Sequence, residues 1–438
     1  MNALRKGSIL FILCFVYFLF LTSGLGILLG DNYEWLEYGS KGSWDYFWTH
    51  ARWDRPGFLL MHLLLFPLFE WATTGYYAVH GLFFAASLVL LWNFARRLVG
   101  HEVLAWACVV YAATTFHIIV WPYVFLGDAA GMEQTFVLAG LLLFLRWHER
   151  RTTPLALATL ASLFIAMTFK QNARLIPLAL ILFLICKRKT LRQPILWLLL
   201  GIVAFAFVVM PAGPHVTLTP NFSHLKFQTH SILKSAGVFI LAAIASFIAS
   251  RPKLTDALLI VVLWLVITFL QLPFFPNTEP RYLIGFMLPF ALLLFSLMDS
   301  GFSWLYKRQK HVALAIIAFI LAVGLYANFS DVTDFAAYMK PYFFAKENTR
   351  LFLESNLTGA LVLYHWGSID FFGRNNEYRN YNPVITGGAN LTAWLHENRP
   401  IYIIHYPRKQ PEIERIENKT LYKVVSQGEI EFWVWKVK

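Results

Sequence analysis

An aspartate follows the first apolar segment of the chain, separated from it by one glycine. The segment runs from Ser8 to Leu29 and continues into Gly30-Asp31-Asn32-Tyr33-Glu34-Trp35. A carboxylate fixed at the rim of a membrane bundle can act as a general base and take a proton from a hydroxyl. The same carboxylate can instead be a solvated helix end or cap a short helix at the membrane surface. Two more acids, Asp128 and Glu133, lie in the later stretch Trp121-Pro-Tyr-Val-Phe-Leu-Gly-Asp-Ala-Ala-Gly-Met-Glu133. They can share a hard cation or position an acceptor together with Asp31, or only complement the N-terminal dipole of the helix that follows.

Three cations complete the set. Lys170 and Arg174 lie in Phe169-Lys-Gln-Asn-Ala-Arg174, and Arg281 lies in Glu279-Pro-Arg-Tyr282. Each falls at the end of an apolar segment, the depth of a lipid phosphate. An arginine fork grips phosphate in bidentate fashion, and a lysine supplies a point charge. The competing roles are snorkelling to the headgroups and, for Arg281, an ion pair with Glu279. Tyr33, Trp35 and Trp53 belong to an aromatic-rich stretch after Asp31, suited to sugar faces or to the membrane interface. In Asp54-Arg55-Pro56-Gly57, Asp54 reads as the N-cap of a helix that Pro56 pre-organises. His215, His224, Lys226, His230 and Lys234 fall in a stretch, 211–235, that reads as an outer loop.

These residues need a membrane to position them. Of 438 residues, 58% are hydrophobic and 14% charged, and mean hydropathy is +0.54. A soluble domain carries about 25% charge, so the chain is expected to be an α-helical polytopic membrane protein. Apolar segments at 8–29, 76–95, 102–121, 132–146, 155–170, 174–186, 194–212, 235–250, 256–272, 281–298 and 311–330 predict about eleven transmembrane helices. Residues 57–70 are too short to cross and predict a helix lying at the interface, within an outer loop spanning 30–75. Cys14, Cys108 and Cys186 all fall in apolar segments, which argues against disulfides and thiolate metal sites. The first apolar segment is long enough to span and lacks a small-residue cleavage site, so it reads as a helix and not as a leader.

Orientation follows from the Lys and Arg of the connecting segments. Sixteen lie on the side of the N-terminus and eight on the other before residue 331. That bias puts the N-terminus in the cytoplasm and residues 331–438 outside. It also accounts for much of the +12 net charge beside anionic lipid, without any need for nucleic acid. Residues 331–438 are polar and carry no span. Strands are expected at 359–364, 400–405, 421–425 and 431–435, and a helix at 392–397, which together make a small extracytoplasmic α/β domain. Residues 1–330 form the membrane domain.

No nucleotide-binding loop and no His-Glu-x-x-His motif occurs. The basic inner segments offer no acid-rich site for a nucleotide-bound metal, so chemistry is expected outside, fed by a preloaded lipid. The chain resembles the GT-C superfamily of membrane glycosyltransferases, with most similarity to bacterial aminoarabinose transferases and protein mannosyltransferases. The resemblance rests on Asp31 after the first span, on Asp54-Arg-Pro-Gly57 leading into an apolar helix, and on Asp128 in the next outer loop. It rests also on Glu279-Pro-Arg-Tyr-Leu283 and the terminal α/β domain.

The resemblance implies a GT-C-like bundle in which Asp31 is the catalytic base. A polyprenyl-phosphate-linked sugar would be the donor, and a hydroxyl on a glycan, lipid or protein the acceptor. Lipid phosphate would leave, held by Arg281 and by Lys170 or Arg174, and single displacement would invert the anomeric centre. Tyr33 and Trp35 would help hold the acceptor. Many members have adjacent acids after the first span. Here Asn32 follows Asp31 and the next acid is Glu34, which puts a metal at this spot in question and leaves a divalent cation open. The expected location is a bacterial inner membrane. The rival class is a transporter or flippase of a lipid-linked glycan, but such carriers place ionisable groups within spans and show repeats. No span here has an acid at its centre, polar centres such as His80 and His117 are modest, and no repeat is seen.

Overall fold

A computed structural model gives the architecture. It describes residues 3–23, 39, 55–70, 73–115, 119–124, 129–187, 194–209, 222–249, 254–274, 283–334, 340–364, 375–380, 394–395, 397–405, 419–427 and 430–437. In chain order the helices begin with α1 (Ala3–Thr22), α2 (Pro56–Phe69), α3 (Thr73–Leu98), α4 (Glu102–Thr114) and α5 (Trp121–Val124). They continue with α6 (Ala130–Arg150), α7 (Thr153–Phe169), α8 (Ile176–Cys186), α9 (Pro194–Val209) and α10 (Phe222–Ala249). The last are α11 (Asp256–Gln271), α12 (Ile284–Arg308), α13 (Lys310–Asp334) and α14 (Lys340–Asn356). A 3₁₀ turn, Gln171–Leu175, joins α7 to α8.

Among the described residues, five helices are long and apolar enough to cross a bilayer unaided, namely α1, α3, α10, α12 and α13. α2, α4, α7, α9, α11 and the stretch Asn172–Cys186 are shorter and equally apolar. The core of the bundle is aromatic and tightly filled: Trp92, Trp264, Tyr111, Phe84 and Phe94 are all buried. Its lipid-facing side carries Phe20, Leu241, Ile248 and Phe319 in the open. That inside-out apolarity is what a bilayer requires, since lipid solvates leucine as well as protein does.

One end of the bundle is clamped by ion pairs between elements. Lys6 meets Glu102 and Arg97 meets Glu149, each at 2.5 Å. Asp256, in the first turn of α11, is held by Lys187 at 2.6 Å and by His148 at 3.1 Å. Asp299 accepts the backbone N–H of Gly100 at 3.0 Å. The residues involved sit among the basic segments assigned to the inner side.

Beyond the bundle, α14 packs on a five-stranded sheet of order β2-β1-β3-β5-β4. The strands are β1 (Leu361–Tyr364), β2 (Glu377–Asn380), β3 (Ile401–His405), β4 (Thr420–Gln427) and β5 (Ile430–Lys436). β1 pairs in parallel with β2 and β3, while β5 runs antiparallel to β3 and β4. Ala345, Leu353, Val362, Ile404, Phe432 and Val434 form its core.

Several expectations need correction. The stretch 211–235 is not all loop: α10 begins at Phe222, so His224, Lys226, His230 and Lys234 are helical. Lys234 is paired with Asp331 of α13 at 2.7 Å. The span expected at 102–121 breaks after Thr114, and the one at 281–298 continues to Arg308. α14 and β2 were not anticipated. The buried side of α14 includes Lys346, Thr349 and Arg350, which hide its periodicity. β2 is a polar edge strand whose Glu377 and Arg379 pair with Arg399 and Glu397. Of the helix expected at 392–397, Trp394 and Leu395 are helical among the described residues.

Candidate active site

The short helix α2 organises the candidate site. Its 14 residues cannot span a bilayer, which takes about 20. Pro56 occupies its first turn, as anticipated, because a missing N–H costs nothing there. Arg55 stands at the N-cap and makes no side-chain cap bond, while Asp54, expected to cap the helix, lies outside the described residues. The following residue explains the motif. A Cβ on Gly57 would lie 2.2 Å from Oγ1 of Thr168, so only glycine lets the start of α2 touch the end of α7.

That contact joins three parts of the chain. Phe58 and Leu59 of α2, Phe169 of α7, and Ala129 and Met132 at the start of α6 form one buried cluster. Phe58 and Phe169 have ring centroids 6.4 Å apart. Residues far apart in sequence thus meet at one end of the bundle: Arg55 begins α2, Glu133 lies in the first turn of α6, and Lys170 closes α7.

The three described candidates from the sequence are all buried. Glu133 is 1% exposed, Lys170 3% and Arg174 4%. Lys170 is in extended conformation as the C-cap of α7, and its carbonyl accepts the Ala173 N–H at 3.3 Å to open the 3₁₀ turn. Arg174 lies within that turn, which places the two cations four residues apart on a compact corner. Neither is extended along the lipid surface as a snorkelling side chain would be. Buried cations are costly unless they face polar or anionic groups, so this corner is built to receive negative charge or already neutralises it. Asp31, Tyr33, Glu34, Trp35, Trp53, Asp128, Glu279 and Arg281 lie outside the described residues. Among the described residues, no group of three His, Cys, Asp or Glu side chains is placed to hold a metal.

Polar groups that the sequence did not single out line the same end. His62 of α2 stacks on Tyr76 at 5.5 Å and meets the edge of Phe58 at 4.7 Å. Burial, and then the neighbouring His80, push the His62 imidazole down to about 3. His80 shares a 2.9 Å hydrogen bond with the carbonyl of Tyr123. The end of α2 and the start of α3 pack closely: the Tyr76 hydroxyl donates to the Glu70 carbonyl at 3.1 Å, and a Cβ on Gly75 would strike the Phe69 ring. Gln134, beside Glu133, is also buried.

The fold is similar to that of a solved membrane protein, ArnT, and part of the chain matches a mannosyltransferase family model. Residues 55–213, which contain α2, α6, α7 and the cationic corner, match the family model for dolichyl-phosphate-mannose-protein mannosyltransferase. ArnT from Cupriavidus metallidurans in the apo state superposes with a TM-score of 0.60 at 13% identity, over 99% of this chain and 98% of that one. The same enzyme bound to undecaprenyl phosphate superposes with a TM-score of 0.58 at 13% identity, over 98% and 97%. No curated protein sequence matches the chain.

Proposed function

We propose that the protein is an inverting glycosyltransferase that moves a sugar from a polyprenyl-phosphate donor to an acceptor hydroxyl at the outer face of a membrane. One observation carries this reading. A GT-C bundle brings two buried cations, Lys170 and Arg174, to the corner where α2 lands on α7. Buried cations at the membrane surface suit a lipid phosphate, whose charge grows as the glycosidic bond breaks. Arg281, three residues before α12 in the sequence, is the third ligand in this proposal.

Asp31 removes the acceptor proton as the hydroxyl attacks the anomeric carbon. The phosphate leaves with the bonding electrons, and the configuration inverts. Glu34, Asp128 and Glu133 position the acceptor, and Tyr33, Trp35 and Trp53 pack against sugar faces. The eleven apolar segments are the membrane spans in this reading. The N-terminus lies in the cytoplasm, and residues 331–438 form an outer domain over the site. The acceptor is a glycan, a lipid or a protein, and the setting is a bacterial inner membrane.

The test is direct. The purified protein in lipid nanodiscs is given undecaprenyl-phosphate-linked sugars with candidate acceptors, and free undecaprenyl phosphate is measured. Release that depends on acceptor supports the reading. Transbilayer movement of the intact lipid-linked sugar, with no release, would make the protein a flippase instead.

A further inference from the structure

Beside the cationic corner lies a narrow cavity between α6, α8, α11 and α12. It is lined by Gln134, Asn172, Ile176, Thr268, Gln271 and Gly285. Its volume is about 10 Å³, room for about one water-sized group. Asn172 belongs to the same 3₁₀ turn as Arg174, so cavity and corner share a wall.

The chemistry of the lining is specific. Every polar side chain there is neutral: three carboxamides and one hydroxyl. Gln134 is 2% exposed, and its Oε1 has no hydrogen-bond partner among the described residues. Gly285 makes space for that amide, since a Cβ there would lie 3.3 Å from Gln134 Nε2. Gln271 Nε2 donates to the Asn172 carbonyl at 3.3 Å, a long bond that leaves the amide able to serve a second acceptor. Thr268 donates its hydroxyl to the Trp264 carbonyl at 3.0 Å, so toward the cavity it can only accept. A buried carbonyl oxygen without a donor is a cost the fold carries unless something fills the space. An ammonium group would find no acid to balance it, and a carboxylate no cation in the lining. A hydroxyl both donates and accepts, and matches the set.

We propose that this cavity receives one uncharged hydroxyl of the donor's sugar, and that Gln134 and Gly285 help decide which sugar is transferred. The inference rests on the glycosyltransferase reading above and adds to it the part of the molecule that reads the sugar. The substrate class that fits is a neutral, hydroxylated sugar, bound with its phosphate toward Lys170 and Arg174.

Two variants test it. Gln134→Leu removes the amide with little change of size, and Gly285→Ala narrows the cavity but keeps the amide. Both are assayed with undecaprenyl-phosphate-linked mannose, glucose, galactose and arabinose, and for binding of sugar-free undecaprenyl phosphate. The expected result is a fall in kcat/KM of about tenfold or more for the sugars that the wild type uses, with binding of the sugar-free lipid unchanged. Unchanged transfer would overturn the proposal and leave the cavity a water site. Equal loss of transfer and of lipid binding would overturn it in favour of a purely structural role. A wild type that binds undecaprenyl phosphate but transfers none of the four sugars would overturn the proposed sugar class. One that neither binds nor transfers would overturn the glycosyltransferase reading and this inference together.

Discussion

Gly57 lies so close to Thr168 that a methyl group on it would come within 2.2 Å of the threonine hydroxyl. This contact locks the start of α2 onto the end of α7, one turn from Lys170. Gly57→Ala should therefore push α2 outward. The overpacking should cost about 1–3 kcal/mol, seen as a lower unfolding midpoint in detergent. Thr168→Ala should partly restore it, because the hydroxyl is the nearest atom. Wild-type stability in Gly57→Ala would mean that α2 does not sit where it is described.

The cationic corner makes a second prediction. Lys170→Met and Arg174→Gln keep most of the bulk and remove the charge. Losing one charge-assisted contact to phosphate is worth about 1.5–3 kcal/mol. Each variant should therefore bind undecaprenyl phosphate about ten- to hundredfold more weakly, as measured by titration in nanodiscs. Affinity within twofold of wild type in both variants would move the phosphate site to Arg281 alone.

Acid should loosen α2. His62 is buried against Phe58, Tyr76 and His80 with its pKa depressed to about 3. Its unfolded value is about 6.5, so the folded protein favours the neutral ring. The stability this contributes is complete above about pH 6.5 and is lost as pH falls from there toward about 3. The thermal midpoint of the wild type should drop through that window, and His62→Leu should flatten the slope. Identical slopes in the two proteins would remove His62 as the cause.

How legible this was varied with the chemistry of each segment. Apolar runs such as 256–272 and 311–330 coincide with α11 and α13 nearly to the residue, because a bilayer-facing helix has no polar face to blur its ends. α14 was invisible because Lys346 and Arg350, ordinarily surface residues, lie on its buried side. β2 was missed because an edge strand bearing Glu377 and Arg379 does not alternate. In the site, charge at span ends pointed to Lys170, Arg174 and Glu133. Gln134, Gln271 and His62 gave no such signal, since a lone amide or imidazole in an apolar helix is informative only once its neighbours are known. The close contact of the motif's glycine with Thr168 was likewise not legible, since it depends on a residue more than a hundred positions away.

The C-terminal sheet domain has its own keystone. Asn376 accepts the Ala360 N–H at 3.1 Å and donates to the carbonyls of Leu353 and Leu357 at 3.3 and 3.1 Å. It also donates to Glu354 at 3.0 Å, and so ties the start of β1 to the end of α14. Asn376→Ala strands these buried groups at a cost of about 1–3 kcal/mol. Amide exchange should accelerate at Ala360 and along β1 while the bundle is unaffected. Exchange unchanged at those amides would show that Asn376 is dispensable.

The account turns on Asp31 as the base that activates the acceptor. Asp31→Asn keeps the shape of the side chain and removes its basicity. The decisive measurement is the rate of acceptor-dependent undecaprenyl phosphate release by the purified variant, beside its affinity for undecaprenyl phosphate. The prediction is a rate lower by about 10²–10⁴-fold with affinity unchanged. A well-folded Asp31→Asn protein that transfers sugar at close to the wild-type rate would contradict it.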